Sequence, residues 1–129
     1  MKITYTQNYQ YDRVYRTDLN QEDIEALDRR FRERATNCAL FPRFTEGTIV
    51  LALAEEKGED LSPEAEAYYK ELCESFEDDD IDSMHVKVEG HTYEPYFTEF
   101  VLTLLKEYLD EYVVPSEYED MVDESFSIR

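Results

Sequence analysis

The richest run of potential ligands is Glu77-Asp78-Asp79-Asp80-Ile81-Asp82, followed by His85. Carboxylate oxygens beside an imidazole suit a hard cation. The run lacks the D-x-D-x-D-G order and the central glycine of a calcium loop, so it predicts a solvated loop with at most weak Ca²⁺ or Mg²⁺ affinity. Nucleophilic catalysis needs a Ser or Cys beside a base. The chain has two histidines, His85 and His91, and two cysteines, Cys38 and Cys73, with no G-x-S-x-G around any serine. Three dispersed glycines, Gly47, Gly58 and Gly90, supply no phosphate-cradling loop. No catalytic residue, metal site or cofactor is assigned, and a non-enzymatic protein is expected.

The remaining chemistry of carboxylates is electrostatic. The chain has 129 residues with 32 acids against 13 bases, a net charge of −19. Residues 1–43 hold eight bases and seven acids, and residues 44–129 hold five bases and 25 acids, a net of −20. Solubility alone calls for a net charge of magnitude about 2–8. Halophilic adaptation would acidify the whole surface, against the neutral first third. Contacts to DNA, RNA or anionic lipid need clustered Lys and Arg, so direct binding to nucleic acid or membrane is not expected. A cationic protein partner is. Carboxylates at i and i+4 on a helix lie about 6 Å apart along its axis, and phosphates on one nucleic-acid strand also recur every few ångströms. Glu71, Glu74 and Asp78 fall at such steps, as do Glu107, Asp110 and Glu111, and the loop carrying Asp78, Asp79, Asp80 and Asp82 joins the two sets. These nine acids predict a two-sided surface able to compete for a groove that holds nucleic acid. Their mutual repulsion costs stability that the core must offset.

In composition, region 44–129 resembles the phage- and plasmid-encoded inhibitors of bacterial defence, including DNA-mimicking anti-restriction proteins and many anti-CRISPR proteins. Those are small, acidic, tyrosine-containing single domains without catalytic motifs. The resemblance carries no residue roles with it. It implies a cationic nuclease, or its complex, as partner in a bacterial cytoplasm. An immunity protein against a cationic nuclease toxin would use the same electrostatics. A divalent-cation-binding module and a phage accessory protein are the alternatives of another class. Arg29-Arg30-Phe31-Arg32-Glu33-Arg34 departs from a uniformly acidic mimic and offers a surface for homodimerisation or a second contact.

The elements that must position these residues read as one α+β domain, 1–129, of about five helices with one or two small antiparallel sheets or hairpins. A mixed-charge strand plus helix occupies 1–43, and an acidic helical region occupies 44–129. Ile3, Tyr5, Tyr9, Tyr11 and Tyr15 share odd positions and predict one face of a strand, split into a hairpin near Asn8. Asn20 with Asp23 predicts a capped helix to about Ala35, braced by Glu25–Arg29 and Asp28–Arg32. Thr45 to Lys57 reads as a buried central helix ended by Gly58, with a buried strand as the rival. Ser62-Pro63-Glu64 starts a third helix with Ala65, Tyr68, Tyr69, Leu72, Cys73 and Phe76 inward. A hairpin is predicted near 84–97, then a helix over 98–112 stopped by Pro115. Ser116-Glu117-Tyr118-Glu119 predicts a short last helix with Met121, Val122 and Phe126 as core contacts. The longest apolar run, Ile49 to Ala54, is six residues, far from the roughly 20 of a membrane helix. The opening residues lack a signal-peptide h-region, so a cytoplasmic protein with reduced core thiols is expected.

Overall fold

The computed structural model describes residues 2–77, 80–90, 94–113 and 120–129. The N-terminal alternation is realised in β1 (Ile3–Tyr9), where Ile3, Tyr5, Gln7 and Tyr9 are buried. β2 (Val14–Leu19) pairs antiparallel with it. The turn falls at Gln10–Asp12 rather than at Asn8, because Tyr11 and Asp12 take left-handed φ values of 62° and 60°. Tyr11 therefore sits at the apex, 90% exposed, off the predicted face.

Among the described residues there are four α-helices, not about five. α1 (Gln21–Arg34) starts at the expected box: Asn20 Oδ1 accepts from Asp23 N–H at 3.0 Å, and Asp23 Oδ2 accepts from Asn20 N–H at 2.9 Å. The Asp28–Arg32 pair forms, whereas Glu25 and Arg29 make no ion pair. α2 (Glu46–Lys57) is helical, which removes the strand alternative. Gly47 to Ala54 is buried all round, and Gly58 closes the helix at φ 68°. α3 (Pro63–Phe76) begins with Ser62 accepting from Ala65 N–H. A Cβ at position 47 would lie 2.9 Å from the Glu64 carbonyl oxygen, so glycine there lets α2 and α3 approach closely. α4 (Phe97–Tyr108) runs on into a π-helical turn, Leu109–Val113. α3 and α4 both pack on α2, the central rod. Phe41, Phe97 and Tyr68 form an aromatic stack through this core, with successive ring centroids 5.2 and 6.1 Å apart.

Two local signals resolve differently. Of the predicted 84–97 hairpin, residues 91–93 lie outside the described residues; the described part shows a bridge between His85 and Tyr96, while Val88 bridges to Ala35. Pro95 accepts from Val86 N–H at 2.8 Å but has no N–H to extend the ladder. The predicted short last helix lies partly on residues 116–119, outside the described residues. Its expected core residues belong to a strand, β3 (Met121–Ile128), which pairs antiparallel with β1 and gives the sheet order β2-β1-β3. Phe126 packs beside Tyr5 at 5.0 Å, while Met121 and Val122 are exposed. Phe126 and Ile128 at alternate positions fit the second edge of β1, and that tertiary pairing outweighs the local capping pattern.

Candidate functional site

The predicted acids fall into two settings. On α3, Glu71 and Glu74 are exposed on the side opposite buried Ala65, Tyr68 and Leu72. Glu77 ends the helix in the left-handed region, at φ 54°. The loop then folds back because Ile81 and Met84 are buried. Asp80 caps this turn, its carboxylate accepting from Asp82 N–H at 3.0 Å and its carbonyl from Ser83 Oγ at 2.8 Å. Asp82 is exposed. It shares an open groove of about 430 Å³ with Glu56 at the end of α2 and Glu99 at the start of α4. Asp78 and Asp79 lie outside the described residues.

The acids at the far end of α4 are met by cations. Arg34 Nη1 lies 2.8 Å from Glu107 Oε2, and Arg30 Nη2 lies 3.0 Å from Glu111 Oε2. The same guanidiniums cover rings of α4, Arg30 over Tyr108 at 5.9 Å and Arg34 over Phe100 at 5.4 Å. Tyr108 donates to Asp23 at 2.6 Å. Burial, reinforced by that carboxylate, raises its phenol to about 12. Asp110 is exposed beside this seam. Glu111 is about 20 Å along the helix from Phe97, and Phe97 is where the 81–84 turn meets α4, through a 2.7 Å bond to the Met84 carbonyl. α4 thus meets the 81–84 turn at its start and the arginines of α1 at its end.

The arginine-rich segment is largely occupied within the fold. Besides Arg30 and Arg34, Arg32 lies 3.3 Å and Arg43 3.8 Å from Asp28, which also accepts from Phe44 N–H at 2.9 Å. Arg30 and Arg34 are four apart on α1, and Glu107 and Glu111 are four apart along α4. Two i,i+4 pairs of opposite sign are a legible signal of docking between helices, and the sequence reading treated the two pairs separately. It also missed a polar chain on the sheet's inner face. Tyr9 donates to Gln7, Gln7 Nε2 to Tyr5 Oη at 2.6 Å, and Tyr5 to Glu124 at 2.6 Å. Burial and the Glu124 carboxylate push the Tyr5 phenol well above its ordinary range.

The largest surplus of acids runs from the end of α2 through α3 to the 80–82 turn. Residues 55–82 hold 13 acids against Lys57 and Lys70, a net of −11. Among the described residues, none of its glutamates, nor Asp60 or Asp82, lies within 4 Å of a cationic group. Among the described residues no group of three His, Cys, Asp or Glu is arranged to hold a metal ion, and no helix is long and apolar enough to cross a membrane. Cys38 and Cys73 are half-buried free thiols. No protein-family model, curated protein or solved structure matches this chain.

Proposed function

We propose that the chain is a non-enzymatic binding protein whose α3 face occupies a cationic, nucleic-acid-binding surface of another protein, in the manner of a phosphate mimic. A bacterial defence nuclease of the CRISPR–Cas or restriction type is the partner class this reading favours. The observation that carries it is the net −11 over residues 55–82, of which Glu71, Glu74 and Asp82 are exposed with no described cationic group within 4 Å, while arginines of the same molecule meet acids elsewhere. Keeping like charges together raises the field at that face and speeds encounter with a cationic groove. Within the nine acids, the reading now rests on Glu71, Glu74 and Asp82, with Glu107 and Glu111 assigned to holding α4 against α1.

The test is an affinity pull-down from cells carrying defence systems, followed by competition with DNA or RNA on the captured target. Binding is expected to block nucleic-acid uptake and to weaken steeply with salt. Glu71→Lys with Glu74→Lys and Asp82→Lys is expected to abolish capture in a folded protein, and Glu107→Gln is expected to leave it intact. A captured target that still takes up nucleic acid normally rejects the mimic reading.

A further inference from the structure

β3 is an edge strand with one side of its ladder unused. Lys2 and Arg129 exchange both backbone bonds, at 2.7 and 2.9 Å. In an antiparallel ladder such pairs recur at every second residue, so Ser127, Ser125 and Asp123 turn their backbone groups towards β1. Those of Ile128, Phe126 and Glu124 therefore point outwards, and no described strand meets them. The register is regular from Asp123 to Arg129, with Phe126 at its midpoint, and shifts only beyond Asp123. Side chains alternate along it. Glu124, Phe126 and Ile128 share the face of Gln7, Tyr5 and Ile3, and Asp123, Ser125, Ser127 and Arg129 share the outer face. Phe126 is half-buried and Ile128 is exposed. Beside them Leu53, Leu102, Leu105 and Leu109 line a groove of about 310 Å³.

We propose that this edge pairs with the same edge of a second copy of the chain, antiparallel, about a two-fold axis between the two Phe126 residues. The pairs that exchange backbone bonds are then Phe126 with its counterpart, and Glu124 with Ile128 in both directions. All of these have outward-pointing groups, so the ladder's alternation is kept. On the outer face, Asp123 comes opposite Arg129 of the second copy, and Arg129 opposite its Asp123. Within one chain these two side chains are six residues apart on the strand, about 20 Å, and cannot meet. Neither has an ion pair within 4 Å among the described residues. On the inner face, Glu124, whose carboxylate accepts from Tyr5 at 2.6 Å, meets Ile128 of the second copy rather than another carboxylate. The two Phe126 rings come side by side at the mouths of the two grooves. Sliding the second copy by two residues sets Asp123 against Ser127, or Arg129 against Ser125, and loses both ion pairs.

The net charge of the chain opposes this face less than others. The groove's rim carries Lys57 and Lys106 beside Glu56 and Glu124, and no residue of α3 lines it. Two copies joined here share one continuous sheet in the order β2-β1-β3-β3-β1-β2. The other edge, β2, is less suited. Lys2 at 3.2 Å and Thr4 at 2.6 Å already hold its Asp18, and its inward Leu19 is buried. Nor does the arginine-rich segment of α1 supply the contact, since Arg30, Arg32 and Arg34 are engaged by Glu111, Asp28 and Glu107. The paired stretch is short, so the dimer is expected to form only at high protein concentration. The proposal does not rest on the phosphate-mimic reading, which uses a different element.

Sedimentation velocity from micromolar to millimolar protein tests the association, and amide hydrogen exchange over the same range locates it. A monomer–dimer equilibrium is expected. The amides of Glu124, Phe126 and Ile128 should gain protection as concentration rises, whereas those of Ser125 and Ser127 are already paired. Asp123→Arg alone sets arginine against arginine twice, and Arg129→Asp alone sets aspartate against aspartate twice. Both positions are exposed, and each single variant should self-associate about tenfold more weakly. Mixing the two single variants makes both cross-copy pairs opposite in sign again, so the mixture should dimerise about as well as the unaltered chain. The proposal is overturned if the unaltered chain stays monomeric throughout, or if the mixture associates no better than the single variants. It is also overturned if rising concentration protects the amides of Val14, Arg16 and Asp18 instead, which places the contact on β2.

Discussion

The seam between α1 and α4 and the outer face of α3 use the same residue types to opposite ends. At the seam, Arg30 and Arg34 meet Glu111 and Glu107, their guanidiniums lie over aromatic rings, and Asp28 gathers Arg32, Arg43 and a backbone N–H. On α3, Glu71 and Glu74 are exposed, with no described cation within 4 Å. Both regions are amphipathic helices with charged outer positions. The difference is whether a second helix presents the opposite sign at matching spacing. Net charge therefore measures function poorly until the internally neutralised acids are set aside.

The sharpest way to break the comparison is alkali, because the interior and the seam contain phenols and the α3 face does not. Burial raises Tyr5, Tyr68 and Tyr108 above the ordinary value of 10. The unfolded chain then loses these protons first, so their contribution to stability is complete below pH 10 and falls as pH rises towards and beyond about 12. Difference absorbance of tyrosinate should show Tyr5, Tyr68 and Tyr108 ionising late and together with unfolding. Tyr108→Phe should make the stability loss above pH 10 shallower, and neutralising Glu71 and Glu74 should not.

Asp28→Ala comes next. It strands the Phe44 N–H and two arginines, and denaturant unfolding should register a loss of about 2–3 kcal/mol. A loss below half a kcal/mol would show that this carboxylate is solvated like those of α3. A double-mutant cycle on Arg34→Met and Glu107→Gln should give a smaller coupling, about 0.5–1 kcal/mol, because both groups are part-exposed. The smallest effect has the opposite sign. Glu71→Gln with Glu74→Gln should stabilise the fold by a few tenths of a kcal/mol at low salt, vanishing by about 1 M as screening removes the repulsion. A destabilised variant would mean that α3's acids have partners after all.

Much of the fold is legible in local chemistry. The Asn20–Asp23 box, Pro63 after Ser62, Gly58 past α2 and the all-apolar 49–54 run each act within a few residues, so they placed three helices close to their observed ends. The acids of α3 were equally legible, since helical spacing alone puts Glu71 and Glu74 opposite Leu72. Signals that depend on a distant partner misled. Met121, Val122 and Phe126 follow a capping pattern, yet β1 offered an open edge more than a hundred positions away in the chain, and the segment became a strand. Pro95 ended a hairpin that the alternation of Met84, Val86 and Val88 suggested.

By itself, the sequence determined the helix starts and stops, the burial of α2, the surplus of negative charge and the dispersal of its three glycines, because these depend on residue type and on spacing within one or two turns. Only the tertiary structure decided which acids meet cations, Glu107 and Glu111 against Arg34 and Arg30 and Asp28 against Arg32 and Arg43, and that 121–128 pairs with β1 as a strand. Those outcomes depend on which elements pack together. A charge acts through its neighbours in space, and for Glu107 and Glu111 those neighbours are Arg34 and Arg30.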